Sequence, residues 1–187
     1  VNVAGIQVQV TGEVVRPGTY LLSGMSTVLN ALYEAGGPSD AGSFRKIYLV
    51  RGSEPRVTVD LYDFLIEGSK KQDVPLKDGD LIFVSPVGST VKVSGEVVRP
   101  GRYEPTFPAT LGAMLKMAGG AKPGGYLQAV QVERIVNNEY KVLLNQPISA
   151  GDVASEFVLQ PGDEVVVTSV KADKTNQVSI SGPVKAP

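Results

Sequence analysis

Ile6, Val8 and Val10 alternate with Gln7, Gln9 and Thr11, a period of two that marks a strand buried on one face. An Arg16-Pro17-Gly18 run follows, and residues 19–22 are placed to pair back as a hairpin. Proline fixes φ near −65° and glycine accepts φ > 0, so Pro17-Gly18 suits the centre of a type II turn. The period then changes. In STVLNALYEAGG, Val28, Leu29, Leu32 and Ala35 recur at helical spacing, Ser26 or Thr27 stands where a helix is capped, and Gly36 where one ends. The expectation is one helix of about three turns. KIYLVRG (46–52) and RVTVDLY (56–62) read as strands. Leu61, Phe64 and Leu65 predict a single helical turn after Asp60, and LKDGD (76–80) reads as a turn feeding the apolar closing strand LIFV.

The same succession is then written again. VQVTGEVVRPGTY (8–20) and VKVSGEVVRPGRY (91–103) agree at ten of thirteen positions, 83 residues apart. Gly36-Gly37 answers Gly119-Gly120, and Leu76–Asp80 answers Leu159–Asp163, at the same offset. A constant offset over three separated landmarks means no net insertion, so the chain is two copies of one unit. The modules are placed at 6–85 and 90–168. A link of only a few residues, 85–90, implies fixed, touching modules. In the second copy Leu111, Met114, Leu115 and Ala118 keep the apolar helix face, LQAVQVERI supplies a strand, and YKVLLN answers RVTVDLY. Pro147 argues against a helical turn at the place corresponding to the one after Asp60. Residues 178–187 begin the phrase a third time. Either the polypeptide continues into another repeat, which is the favoured expectation, or this segment is a strand closing the second sheet. Hairpin, helix, strand, strand, turn, strand predicts an α+β fold: two tandem β-grasp-like modules, each a small mixed sheet with one main helix.

Composition narrows the function classes. The chain has 187 residues, 21 glycines, 13 prolines and net charge −1. The modules carry net charges of −2 and −1, without the basic stripe of a nucleic-acid binder. No histidine is present, which removes the commonest general base, Ser-His and Cys-His nucleophile systems, and histidine metal sites. No acidic pair stands out in both modules as a glycosidase would need. Absence of cysteine suits an oxidising compartment. No apolar run reaches transmembrane length, and residues 1–20 lack the basic start and apolar core of a signal peptide, so a mature form or an excised piece is expected.

GEVVRPGTY, a helix ending in AGG, a VDL strand and L-x-x-GD-x-x-x-V, in that order and twice, resemble the SLBB domain, the soluble-ligand-binding β-grasp family. The resemblance covers both modules. Tandem copies imply a polysaccharide export protein of the bacterial outer membrane, serving capsule, exopolysaccharide or biofilm. That implies a periplasmic, non-enzymatic structural and glycan-binding role without cofactor or metal. The implied partners are copies of itself in an oligomer, polysaccharide and other envelope export components, with no nucleic acid. The alternative implied by other relatives is a small-ligand receptor of the cobalamin-binding kind. The amino-terminal export domain that precedes the repeats in that family is not in this sequence.

The candidate contact residues are Arg16, Arg99, Tyr20 and Tyr103. The two arginines hold equivalent hairpin positions, where they either offer planar donors to a ligand or neighbouring subunit or stand solvated beside a turn; the third copy has Ala186 there. The tyrosines either stack on a sugar ring or cover the sheet edge. Asp78-Gly79-Asp80 lacks the ligand spacing of a calcium loop and reads as a turn. The glycine pairs read as helix ends, which present carbonyls rather than amides to a phosphate.

Overall fold

The computed structural model describes residues 5–123, 125–146 and 153–169. The third copy of the phrase and Pro147 lie outside the described residues.

The first module contains β1 (Gly5–Gly12), β2 (Gly18–Ser23), α1 (Val28–Glu34), β3 (Gly42–Val50), β4 (Val57–Val59), α2 (Tyr62–Glu67) and β5 (Leu81–Pro86). The second contains β6 (Val91–Gly95), β7 (Gly101–Tyr103), β8 (Ala109–Thr110), α3 (Leu111–Met117), β9 (Gly125–Val136), β10 (Glu139–Gln146), a 3-10 turn (Val153–Glu156), β11 (Val158–Leu159) and β12 (Glu164–Ser169). The two main sheets have one topology, β2-β1-β5-β3-β4 and β10-β9-β12-β6-β7. In each, the opening and closing strands run parallel at the centre and the other pairings are antiparallel. This is the expected α+β arrangement: two small mixed sheets, each with one main helix on a face.

Most of the core repeats at the same offset. Val8, Val10, Val28, Leu32, Ala35, Ile47, Leu49, Ile82 and Val84 are buried in the first module, as are their equivalents Val91, Val93, Leu111, Leu115, Ala118, Val130, Val132, Val165 and Val167 in the second. Leu29, expected on the core face, is only half-buried; Ala31 takes the place instead, as Met114 does in the second copy. Each main helix has seven residues, about two turns rather than three. The Asn30 side chain accepts from the Thr27 amide at one start, the Thr110 hydroxyl from the Ala113 amide at the other. Gly36 and Gly37, both with φ near 80°, close the far end.

Two local expectations are corrected. Gly18 and Gly101 do not adopt positive φ; Gly12 and Gly95 do. The hairpin loop is therefore no type II turn at Pro17-Gly18. Its backbone is drawn onto the helix end instead, and Gly18 lies extended opposite Val10. The Pro-Gly turn occurs at Pro161-Gly162, where φ is 88° and the Asp163 amide bonds the Gln160 carbonyl. Finally, RVTVDLY and YKVLLN are not spatial equivalents at constant offset. Ile47 pairs with Val59, whereas its equivalent Val130 pairs with Gln146, four residues beyond Val142. A tight turn at Asn137-Asn138, both with positive φ, lengthens that hairpin, as the right-handed strand twist favours.

Candidate functional site

The repeated phrase works as a clasp between hairpin loop and helix end. The Val15 amide bonds the Gly37 carbonyl and the Arg16 amide the Ala35 carbonyl; Val98 and Arg99 do the same to Gly120 and Ala118. Gly12 turns the chain at φ 84° where a Cβ would stand 2.1 Å from the Val84 carbonyl oxygen, and at Gly95 the distance to Val167 is 2.0 Å. Only glycine fits there on both counts.

The four expected contact residues complete this clasp. An Arg16 guanidinium nitrogen donates to the Glu34 carbonyl at 2.6 Å, and Arg99 to the Met117 carbonyl at 3.2 Å. Cations at a helix carboxyl end satisfy orphan carbonyls and oppose the dipole. Tyr20 and Tyr103 donate their hydroxyls to the backbone carbonyls of Arg16 and Arg99, at 2.6 and 2.5 Å. Burial pushes the Tyr103 phenol up, against the pull of Arg99. Each Arg–Tyr pair is thus engaged inside its own module.

A second repeated device ties the closing turn to the sheet. Arg51 grips Asp80 with two parallel bonds of 2.8 and 2.7 Å, and Arg134 grips Asp163 with 2.7 and 2.8 Å. Both aspartates are fully buried. The Lys77 and Gln160 amides add a third bond to each. Burial alone would raise the Asp80 carboxyl, but the Arg51 guanidinium and the Lys77 amide outweigh it and hold it below its ordinary range. The bond to Asp80 likewise raises Arg51.

The two modules meet where the repeat is broken. Glu104 stands where the first copy has Leu21, which is 81% exposed; Glu104 itself is 4% exposed. Its carboxylate accepts from the Ser43 hydroxyl at 2.7 Å and the Gly88 amide at 2.9 Å. Its backbone amide donates to the Tyr62 hydroxyl at 2.8 Å, and its carbonyl accepts from Arg45. Arg45 also lies 4.3 Å over the Tyr62 ring and pairs with Asp60. Burial pushes the Tyr62 phenol up. The socket is built by a bulge: between Gly42 and Ile47 the chain advances five residues while its partner β5 retreats only two, from Pro86 to Val84. The Ser43 hydroxyl holds that bulge by accepting from the Arg45 and Lys46 amides. A Cβ on Gly88 would stand 2.8 Å from a Glu104 carboxylate oxygen, so a side chain there would press on the carboxylate.

Sequence reasoning did not find Glu104, Ser43, Arg45 or Tyr62. The available signal was the departure from the repeat: a carboxylate replacing leucine after an otherwise duplicated hairpin. The junction also encloses a cleft of about 390 Å³ lined by residues of both modules, among them Pro38, Asp40, Phe44, Thr90, Arg102 and Glu104. A separate, largely apolar groove of about 370 Å³ lies between α1 and α2. Among the described residues, no group of three acidic side chains could hold a metal ion, and no helix is long and apolar enough to cross a membrane.

Against known proteins, two family models match, both described as the SLBB domain, over residues 7–60 and 89–167. The polysialic acid transport protein KpsD of Escherichia coli is 33% identical over 181 residues, 95% of this chain and 31% of that protein. The EPS I polysaccharide export outer membrane protein EpsA of Ralstonia solanacearum is 31% identical over 170 residues, 86% of this chain and 45% of that protein. The chain therefore spans less than half the length of each of these relatives.

Proposed function

We propose, from the premise that the chain belongs to the SLBB domain family as a tandem pair of its domains, that it is a structural and glycan-handling part of a machine exporting capsule or exopolysaccharide. It acts in the periplasm, within an outer-membrane-associated protein, and it is not an enzyme. The observation that carries this reading is the likeness to two proteins whose names state polysaccharide transport and export, running through both modules.

The geometry supports an architectural role. The residues most marked by duplication, Arg16, Arg99, Tyr20, Tyr103, Asp80 and Asp163, are spent on internal ties. Also facing outward are an apolar rim and an open sheet edge. Leu21, Met25 and Tyr33 are 79–81% exposed in the first module, and β10, at the edge of its sheet, exposes Val142. Such surfaces suit packing against copies of the same chain or other export components.

The test is an in-frame removal of this segment from the full-length protein in its own bacterium, with surface polysaccharide measured against polymer retained in the envelope. Retention with loss from the surface is expected. Unchanged surface polysaccharide overturns the reading.

A further inference from the structure

We propose that the cleft between the modules binds an uncharged, hydroxyl-rich sugar unit; this deepens the export reading and rests on it for the identity of the ligand class. The cleft's volume, about 390 Å³, falls within the usual range for small-ligand sites. Its walls come from both modules, Pro38, Asp40 and Phe44 from one and Arg102 and Glu104 from the other, with Thr90 in the link. The site therefore exists only while the junction is closed.

The polar groups still free to bond point to a sugar. The Glu104 carboxylate is fixed at the back by Ser43 and Gly88. The Tyr62 hydroxyl accepts from the Glu104 amide, which leaves its own hydrogen to donate. Among the described residues, the side chains of Asp40, Thr90 and Arg102 make no hydrogen bond or ion pair with the protein. The cleft thus presents an unused carboxylate, hydroxyl and guanidinium beside the apolar faces of Pro38 and Phe44.

Charge decides the class. Asp40 and Glu104 face the same space as Arg102, so a phosphate or nucleotide meets two carboxylates, and a divalent cation meets the guanidinium. A neutral pyranose satisfies both kinds of group at once: its hydroxyls donate to the carboxylate and accept from the guanidinium, and its C–H face covers the apolar wall. The repeat supports a purpose-built site, since the residue equivalent to Arg102 in the first module is Thr19 and that equivalent to Glu104 is Leu21.

The test is a ¹H–¹⁵N NMR titration of the two-module chain with cellotetraose and maltotetraose, and separately with tetrameric sialic acid and inorganic phosphate. Shifts at the Asp40, Thr90 and Arg102 amides are expected with a neutral oligosaccharide, with a dissociation constant on the order of millimolar. In the double variant Asp40→Asn, Arg102→Met, whose spectrum reports whether the fold is kept, affinity is expected to fall at least about tenfold. Three results overturn the proposal: no neutral sugar shifts these amides, sugar shifts persist unchanged in the variant, or phosphate or sialic acid binds the cleft more tightly. None of these touches the export reading, which stands or falls on the polysaccharide retained in cells.

Discussion

Replacing Asp80 by asparagine keeps the side-chain shape and removes its charge. Asp80 accepts three bonds, two from Arg51 and one from the Lys77 amide, and it is fully buried. Asparagine offers one oxygen, so one donor meets an amide NH₂ and the guanidinium loses its counter-charge. A fully buried ion pair broken this way costs about 3–5 kcal/mol. The Arg51 side chain is 22% exposed, and water at that side lowers the expected cost to about 2–4 kcal/mol. With m near 1 kcal/mol/M for a module of this size, the urea midpoint of the first module falls by about 2–4 M. The transition is read per module from resolved NMR signals, because two modules need not unfold together.

The pH dependence gives the sign. The folded Asp80 carboxyl sits below its ordinary value, so the stabilisation is fully present above the unfolded pKa, about 4. It is lost as pH falls through the folded value. The gap between wild type and D80N is therefore full at pH 7 and narrower at pH 3. A gap below about 0.5 kcal/mol at pH 7, or one that does not narrow with acid, would mean that the buried pair does not stabilise the module.

Gly95→Ala places a Cβ 2.0 Å from the Val167 carbonyl oxygen at φ 83°, and more than about 2 kcal/mol of destabilisation is expected by urea unfolding. Gly120→Ala, also at positive φ but with open space around it, is expected to cost about 1 kcal/mol, so the difference between the two measures the steric contact alone. Arg16→Ala and Arg99→Ala each remove a donor from a helix carboxyl end on the surface and lower stability by about 0.5–1 kcal/mol, while sugar-induced shifts in the intermodule cleft stay unchanged.

The sequence made the duplicated architecture legible because most buried core positions, from Val8 and Val91 to Val84 and Val167, recur at one offset. It also singled out Arg16, Tyr20, Arg99 and Tyr103, but not their role. A hydrogen bond to a helix-end carbonyl 18 residues away leaves no local signature to separate it from a solvent-facing arginine. The Arg51–Asp80 and Arg134–Asp163 pairs were readable in principle, since both partners repeat together, yet Arg51 lies just past a strand end where charge is unremarkable. The shifted β9–β10 register was announced by Asn137-Asn138, whose tolerance of positive φ marks a two-residue hairpin. Glu104 was the hardest. Its partners Ser43 and Tyr62 are 61 and 42 residues away in a different module, and repeats teach what is shared rather than what joins them.

Glu104 holds the two modules as one body, and residual dipolar couplings of the two-module chain test this directly. A single alignment tensor is predicted to fit both sheets of the wild type, and Glu104→Ala, which orphans the Ser43 hydroxyl and the Gly88 amide, is predicted to require two. Separate tensors in the wild type would contradict it.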